Sequence, residues 1–350
     1  MKHLYKILVF SLLTTLVFGA TTAYAGNKDR AGEAGGMQLL INPWARSNGL
    51  GGSNAAYVRG LESQFLNVAG IAHTKKTEII FSQSQWLKGS GTNISAFGLT
   101  QKMGENSGVL GISVISISYG DIPVTTVNQP EGNGSTFSPR TMNINISYSK
   151  AFSNSIYGGI NLKVLSESIS NVKTGGVAID AGIQYVTGKK EQVKFGVALK
   201  NVGPNMKYSG DGLSIRGFVN QQPNQMTLEQ RSASLELPSL IRIAFSYDLH
   251  LNDDNILTPG YTFTANSFTN DQHAVGLNYM WSKYLVLRAG FVYEKGIFDN
   301  SRATALTGPT AGLSVMVPIN KEGGAFSIDY AYQTSNPFQG THSIGVSIKL

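Results

Sequence analysis

The chain has 350 residues, with 28 basic against 21 acidic side chains, 40 glycines, 15 tyrosines and no cysteine. Its mild, scattered positive charge argues against a nucleic-acid surface, and the missing thiols exclude a disulfide framework, thiolate metal sites and a lipidated-cysteine anchor. Abundant glycine and tyrosine with only 14% charged residues suit a sheet-rich wall with aromatic girdles.

The first 25 residues read as a signal peptide. "MKHLYK" is positive, "ILVFSLLTTLVF" is apolar and "ATTAYA" ends in small residues, so cleavage is expected after Ala25. The apolar run is about a dozen residues, short of the roughly 20 that a spanning helix needs.

Residues 26–76 do not alternate. "GNKDRAGEAGG" is loose and polar, and "GSNAAYVRGLESQFL" has partial helical spacing. Too short for an independent domain, this stretch is expected to be a plug or hatch with a short helix.

From residue 77 onward, period-two alternation predicts strands at 77–88, 92–103, 108–118, 140–151, 155–167, 176–186, 193–202, 238–250, 255–267, 272–281, 284–295, 308–319, 323–334 and 340–350. These fourteen segments are long, close to the roughly 9–11 residues of a tilted membrane strand and above the 5–6 of an ordinary one. In 141–150, Met142, Ile144, Ile146 and Tyr148 oppose Asn143, Asn145, Ser147 and Ser149. Segments 77–88 and 108–118 alternate less cleanly.

Alternation alone does not say whether the apolar face meets a soluble core or lipid. The connections decide it. Residues 104–107, 152–154, 187–192, 251–254, 282–283 and 319–322 are tight turns, whereas 119–139, 203–237 and 296–307 are long and polar, all on the same parity. An up-and-down barrel with short periplasmic turns produces that pattern, and a Greek-key sandwich has no reason to. The expected fold is therefore all-β: a 14-stranded antiparallel transmembrane β-barrel with its apolar face toward lipid. Closure pairs every backbone group, so the last strand is expected to zip against the first. Ile146→Arg is expected to cost about 2–4 kcal/mol, and Ser147→Arg on the lumen face much less.

The stretch "LLINPWARSNGLGGSNAA", followed by "NVAG" at 67–70, resembles the N-terminal signature of the PorV/PorQ family of outer-membrane barrels, which are similar in fold to the FadL long-chain fatty-acid transporters. Ile41, Ala45, Arg46, Gly49, Gly51 and Gly52 match the first part of the motif, and Asn67, Ala69 and Gly70 the second, with Val68 where the family often has proline. The resemblance covers about fifty residues at motif level and implies a part in type IX protein secretion, by docking a translocon or cargo at the outer membrane.

No catalytic constellation stands out. His3, His73, His250, His273 and His342 are scattered, no HExxH or Gly-x-Ser-x-Gly occurs, and "GLGGSN" follows no strand. No enzyme activity, cofactor or metal is expected. Asp180, Arg242, Asp248, Arg288 and Asp329 fall on polar strand faces, where they read as paired lumen charges more readily than as a constriction. The 203–237 connection carries Tyr208, Leu213, Ile215, Phe218, Met226 and Leu228, apolar for a water-facing loop, and is expected to contact a protein partner. The expected partners are thus outer-membrane lipid and a secretion protein. The alternative is a FadL-like transporter holding a hydrophobic small molecule in its lumen. A soluble secreted β-protein fits the strand lengths and loop parity poorly.

Overall fold

The computed structural model describes residues 26–104, 107–219, 224–252, 254–282, 284–299, 304–319 and 324–350. The expected signal peptide lies outside the described residues, as do parts of the turns at 104–107, 251–254, 282–283 and 319–322 and of the 203–237 and 296–307 connections.

Fourteen strands form the wall: β1 Thr77–Trp86, β2 Thr92–Lys102, β3 Val109–Ser118, β4 Arg140–Ala151, β5 Ile156–Ile169, β6 Val172–Thr187 and β7 Val193–Val202. The second half is β8 Leu240–Tyr247, β9 Ile256–Asn266, β10 Gln272–Trp281, β11 Leu285–Glu294, β12 Gly308–Pro318, β13 Ala325–Gln333 and β14 Thr341–Lys349. Each pairs antiparallel with its sequence neighbours, and β1 closes on β14 from Glu78↔Lys349 to Gln85↔His342. The Leu350 N–H extends that closure, donating to the Thr77 carbonyl at 2.9 Å.

The apolar face looks outward. Met142, Ile146 and Tyr148 are exposed, while Asn143, Asn145, Ser147 and Ser149 are buried in the lumen. The lumen is filled, which changes one expectation. The Ser147 hydroxyl accepts from Gln64 Nε2 at 2.7 Å and is 1% exposed, so Ser147→Arg would have no free space and should not be cheap.

Strand limits differ from the sequence pattern in two places. β5 and β6 run past 167 and begin before 176, meeting at a tight turn where Ser170 has φ +50°. A register shift between β6 and β7 leaves Asp180 opposite a bulge. Asn201 turns to φ +60° there, and both Lys200 and Asn201 are buried. Two consecutive inward residues are what a β-bulge produces and what strict alternation cannot anticipate.

The long connections are partly structured. The 119–139 loop contains a small ladder, Ile122–Pro123 with Thr136–Phe137, and 203–237 carries a hairpin of Ser214–Phe218 and Gln225–Glu229.

Residues 34–76 run inside the wall. Ala34 forms a parallel bridge with Glu236 at the long-loop end, and the segment descends to the turn end, where β1 starts. Helical structure in this segment is limited to single turns at Ala45–Asn48 and Ser63–Leu66 and 3-10 stretches at Met37–Leu40 and Val68–His73. The helix expected across 52–66 shrinks because Gly60 adopts φ +75° in its middle.

Candidate ligand cavity and lumen ion network

In the inner half of the lumen, the segment's backbone lies directly on the wall. A Cβ on Gly49 would stand 2.8 Å from the Gly312 Cα, and one on Gly260 2.8 Å from the Ser53 carbonyl oxygen. Only glycine lets the two backbones approach so closely. Asn67 wedges between β6 and β7, its amide donating to the Ile183 carbonyl at 3.0 Å and its oxygen capping Ala69 N–H at 3.2 Å. Ala69 is fully buried, its carbonyl accepts from Ser149, and Gly70 is pressed against the Val58 carbonyl. Ala45 meets Gly345, Gly51 meets Val292 at φ +58°, and Gly52 turns the chain at φ +80°.

Arg46 anchors this packing. Its guanidinium pairs with Asp329 at 2.9 Å, Glu62 at 3.7 Å and Glu78 at 3.8 Å, and donates to Ser327 at 2.6 Å and to Ser347. Arg288 stands beside it and donates to Ser314 at 2.5 Å. The structure thus joins Arg46 of the motif to two of the five lumen charges. The remaining three lie across the lumen. Asp180 pairs with Lys163 at 2.7 Å and Lys200 at 3.6 Å, Arg242 donates to the Phe65 carbonyl at 2.9 Å, and Asp248 pairs with Lys194 and accepts from Thr258 at 2.8 Å. Sequence reasoning missed Lys163, Lys194 and Glu78. Each sits on the polar phase of its strand and could have been found by the same count, as could Lys200, which shares the phase of Lys194; Asn201 could not, because the bulge takes it off the alternation.

At the inner end His73 stacks near Tyr157, with ring centroids 4.1 Å apart. Burial, aided by the nearby Arg59 and Lys194 charges, pushes its pKa down to about 3.

The outer half is different. Above the packed segment, below the long loops, lies a cavity of about 600 Å³. Met37, Leu40, Ile41, Phe65, Leu240 and Leu306 give it an apolar lining, and Asn42, Asn266, Gln272 and Gln333 add uncharged polar groups. Two charged groups reach it, Glu167 and Arg242. Glu167 is satisfied by Gln38 at 2.7 Å and Tyr208 at 2.5 Å. Arg242 has no carboxylate partner among the described residues and shares its corner with Lys163, Lys200 and the single carboxylate Asp180.

Tyr208 therefore corrects the loop expectation: its hydroxyl turns into the cavity, and burial and Glu167 hold its pKa above the ordinary tyrosine value. Ile215, Phe218 and Met226 stay exposed on the hairpin, while Leu213 and Leu228 are half-buried.

No protein-family model matches the chain, and no curated protein matches it in sequence. Solved structures do match in fold. The Pseudomonas putida toluene transporter TodX aligns with a TM-score of 0.54 at 10% identity, covering 88% of this chain and 97% of that one. The monoaromatic hydrocarbon channel CymD aligns at 0.52 with 14% identity, covering 88% and 97%, and a Pseudomonas aeruginosa FadL homologue at 0.52 with 10%, covering 87% and 98%. At such identities the likeness speaks for the fold and carries nothing on a PorV/PorQ affiliation. With its closed wall, apolar exterior and polar lumen, the chain is an outer-membrane β-barrel of FadL-like architecture.

Proposed function

We propose that the protein is a FadL-like outer-membrane transporter of hydrophobic small molecules, with residues 26–76 as its plug and the outer cavity as its binding site. The observation that carries this reading is the cavity itself: about 600 Å³, inside the range of small-molecule sites, with an apolar lining and one half-buried arginine that has no carboxylate partner among the described residues. Arg242 favours a ligand with an anionic head, and the similar folds of a toluene transporter and a monoaromatic hydrocarbon channel favour an apolar body.

The test is binding of laurate and of toluene to the purified barrel in nanodiscs, followed by tryptophan fluorescence, since Trp86 lines the cavity. Leu40→Trp should weaken both by taking up part of the space. Arg242→Met should weaken laurate at least tenfold and leave toluene unchanged. Undiminished binding of both ligands to both variants would place the ligand elsewhere and remove the reading.

A second reading, docking of a secreted or translocon protein as the PorV/PorQ resemblance implies, is favoured by Ile215, Phe218 and Met226 on the projecting hairpin. Replacing 212–231 by a short turn should then abolish export of secreted proteins while ligand binding persists. Export unaffected by that deletion would discard it.

A further inference from the structure

The corner of the lumen beside the cavity carries more positive charge than its neighbours answer. Lys163 and Lys200 reach the same carboxylate, Asp180, at 2.7 and 3.6 Å. Lys163 also donates to the Asn201 side chain at 2.6 Å, and Lys200 donates to the Phe65 carbonyl. Arg242 donates to that same carbonyl at 2.9 Å. Three cations thus meet one carboxylate, an excess of two, and the two lysines are only 3% and 1% exposed. Charge taken out of water at such depth is costly unless opposite charge accompanies it.

Arg242 presents this excess to the cavity. Its contacts with the segment, to the Phe65 carbonyl and at 3.5 Å to the Leu66 carbonyl, both use Nη1. Nε and Nη2 have no partner among the described residues, and the side chain lines the cavity. That pair of N–H groups is the edge with which a guanidinium grips an oxyanion through two parallel bonds. Lys163 lines a small annexe of about 20 Å³ that shares Gln38, Ile41 and Phe65 with the cavity. A space of that size takes about one water. Glu167, the cavity's other charged group, stands four residues farther along β5 toward the loops, roughly 13 Å at the rise of a strand. Its two oxygens already accept from Gln38 and Tyr208.

We propose that the head of the ligand is a doubly charged oxyanion of the phosphate monoester class, gripped by the Nε and Nη2 edge of Arg242 with Lys163 and Lys200 behind it. The inference rests on the transporter reading and narrows its substrate. A single carboxylate would leave one buried charge unanswered. A phosphate monoester carries close to two negative charges above its second pKa of roughly 6. A dicarboxylate carries as many, but the annexe has no room for its second group. The apolar lining of the cavity takes the chain.

The test compares dodecyl phosphate with laurate, equal in chain length and different in head, with toluene and inorganic phosphate as body and head alone. In nanodiscs at about pH 8, where the phosphate is doubly ionised, dodecyl phosphate should bind the wild-type barrel about tenfold more tightly than laurate. Inorganic phosphate at the same concentration should not displace it. Lys163→Met and Lys200→Met each lower the excess to one, and each should bring the two amphiphiles within about threefold of one another. Two variants guard against a folding defect in either, which heat-modifiable migration on unboiled gels reports. Equal affinity of the wild type for the two amphiphiles would overturn the doubly charged head and leave the transporter reading standing. So would a phosphate advantage that persists in both variants. Displacement by inorganic phosphate as effective as by dodecyl phosphate would make this a site for the free ion and overturn the amphiphile. If toluene, laurate and dodecyl phosphate all fail to bind the wild type, the transporter reading falls and this inference with it.

Discussion

The two halves of the lumen solve different problems with the same chain. In the inner half the segment and the wall touch backbone to backbone, through Gly49 on Gly312 and Ser53 on Gly260, and Arg46 binds three carboxylates from the segment and the strands. In the outer half the 34–42 stretch touches the wall through side chains, Leu39 packing with Leu165 and Ala178 and Gln38 bonding Glu167, and a cavity remains beside it beneath the loops. The inner half has no room to change shape, because its contacts are short and fixed by backbone. The outer half is bounded by side chains and loops, which repack at little cost.

Gly312→Leu should break this contrast most severely. Its side chain would meet the Gly49 Cα at 3.0 Å, backbone that cannot give way, so assembly should fail. The check is loss of heat-modifiable migration and of protease protection of the 26–76 segment. Normal assembly would mean that the segment is not seated on the wall.

Arg46→Met should fold less stably, by about 3–5 kcal/mol, because Asp329, Glu62 and Glu78 would face one another without their cation. Urea unfolding in liposomes measures it, and Arg46→Met combined with Asp329→Asn should recover part of the loss.

Acid should weaken the inner half through His73. Its pKa falls from 6.5 to about 3 on folding, so between these values the unfolded chain binds the proton and the folded chain refuses it. Stability from this neutral seat is complete above pH 6.5 and is lost as pH falls toward 3. His73→Phe should flatten the pH dependence of unfolding in that window, and an unchanged slope would show that His73 is open to water.

The smallest stability effect belongs to the outer half. Leu40→Trp points into the cavity and should alter stability by less than ~1 kcal/mol. A cost like that of Gly312→Leu would erase the distinction between the halves.

Much of this molecule was legible from alternation and loop parity. Fourteen strands, their outward face and the polar phase holding Asp180, Arg288 and Asp329 follow from a period of two, because each strand must satisfy lipid on one side and the lumen on the other. The N-terminal motif was legible as a pattern, but not the reason for it: Gly49 and Asn67 matter because of Gly312, Ile183 and Val197, some 116 to 263 residues away in sequence. Tertiary structure alone decided that Arg46 meets Asp329, that a bulge turns Asn201 inward beside Lys200, that Tyr208 leaves the loop surface for Glu167, and that a cavity remains above the segment. Periodicity is a local property, set by the strand's two-residue repeat. Which residues meet across a closed barrel depends on its register and on the path of the segment threaded through it, and neither leaves a local signal.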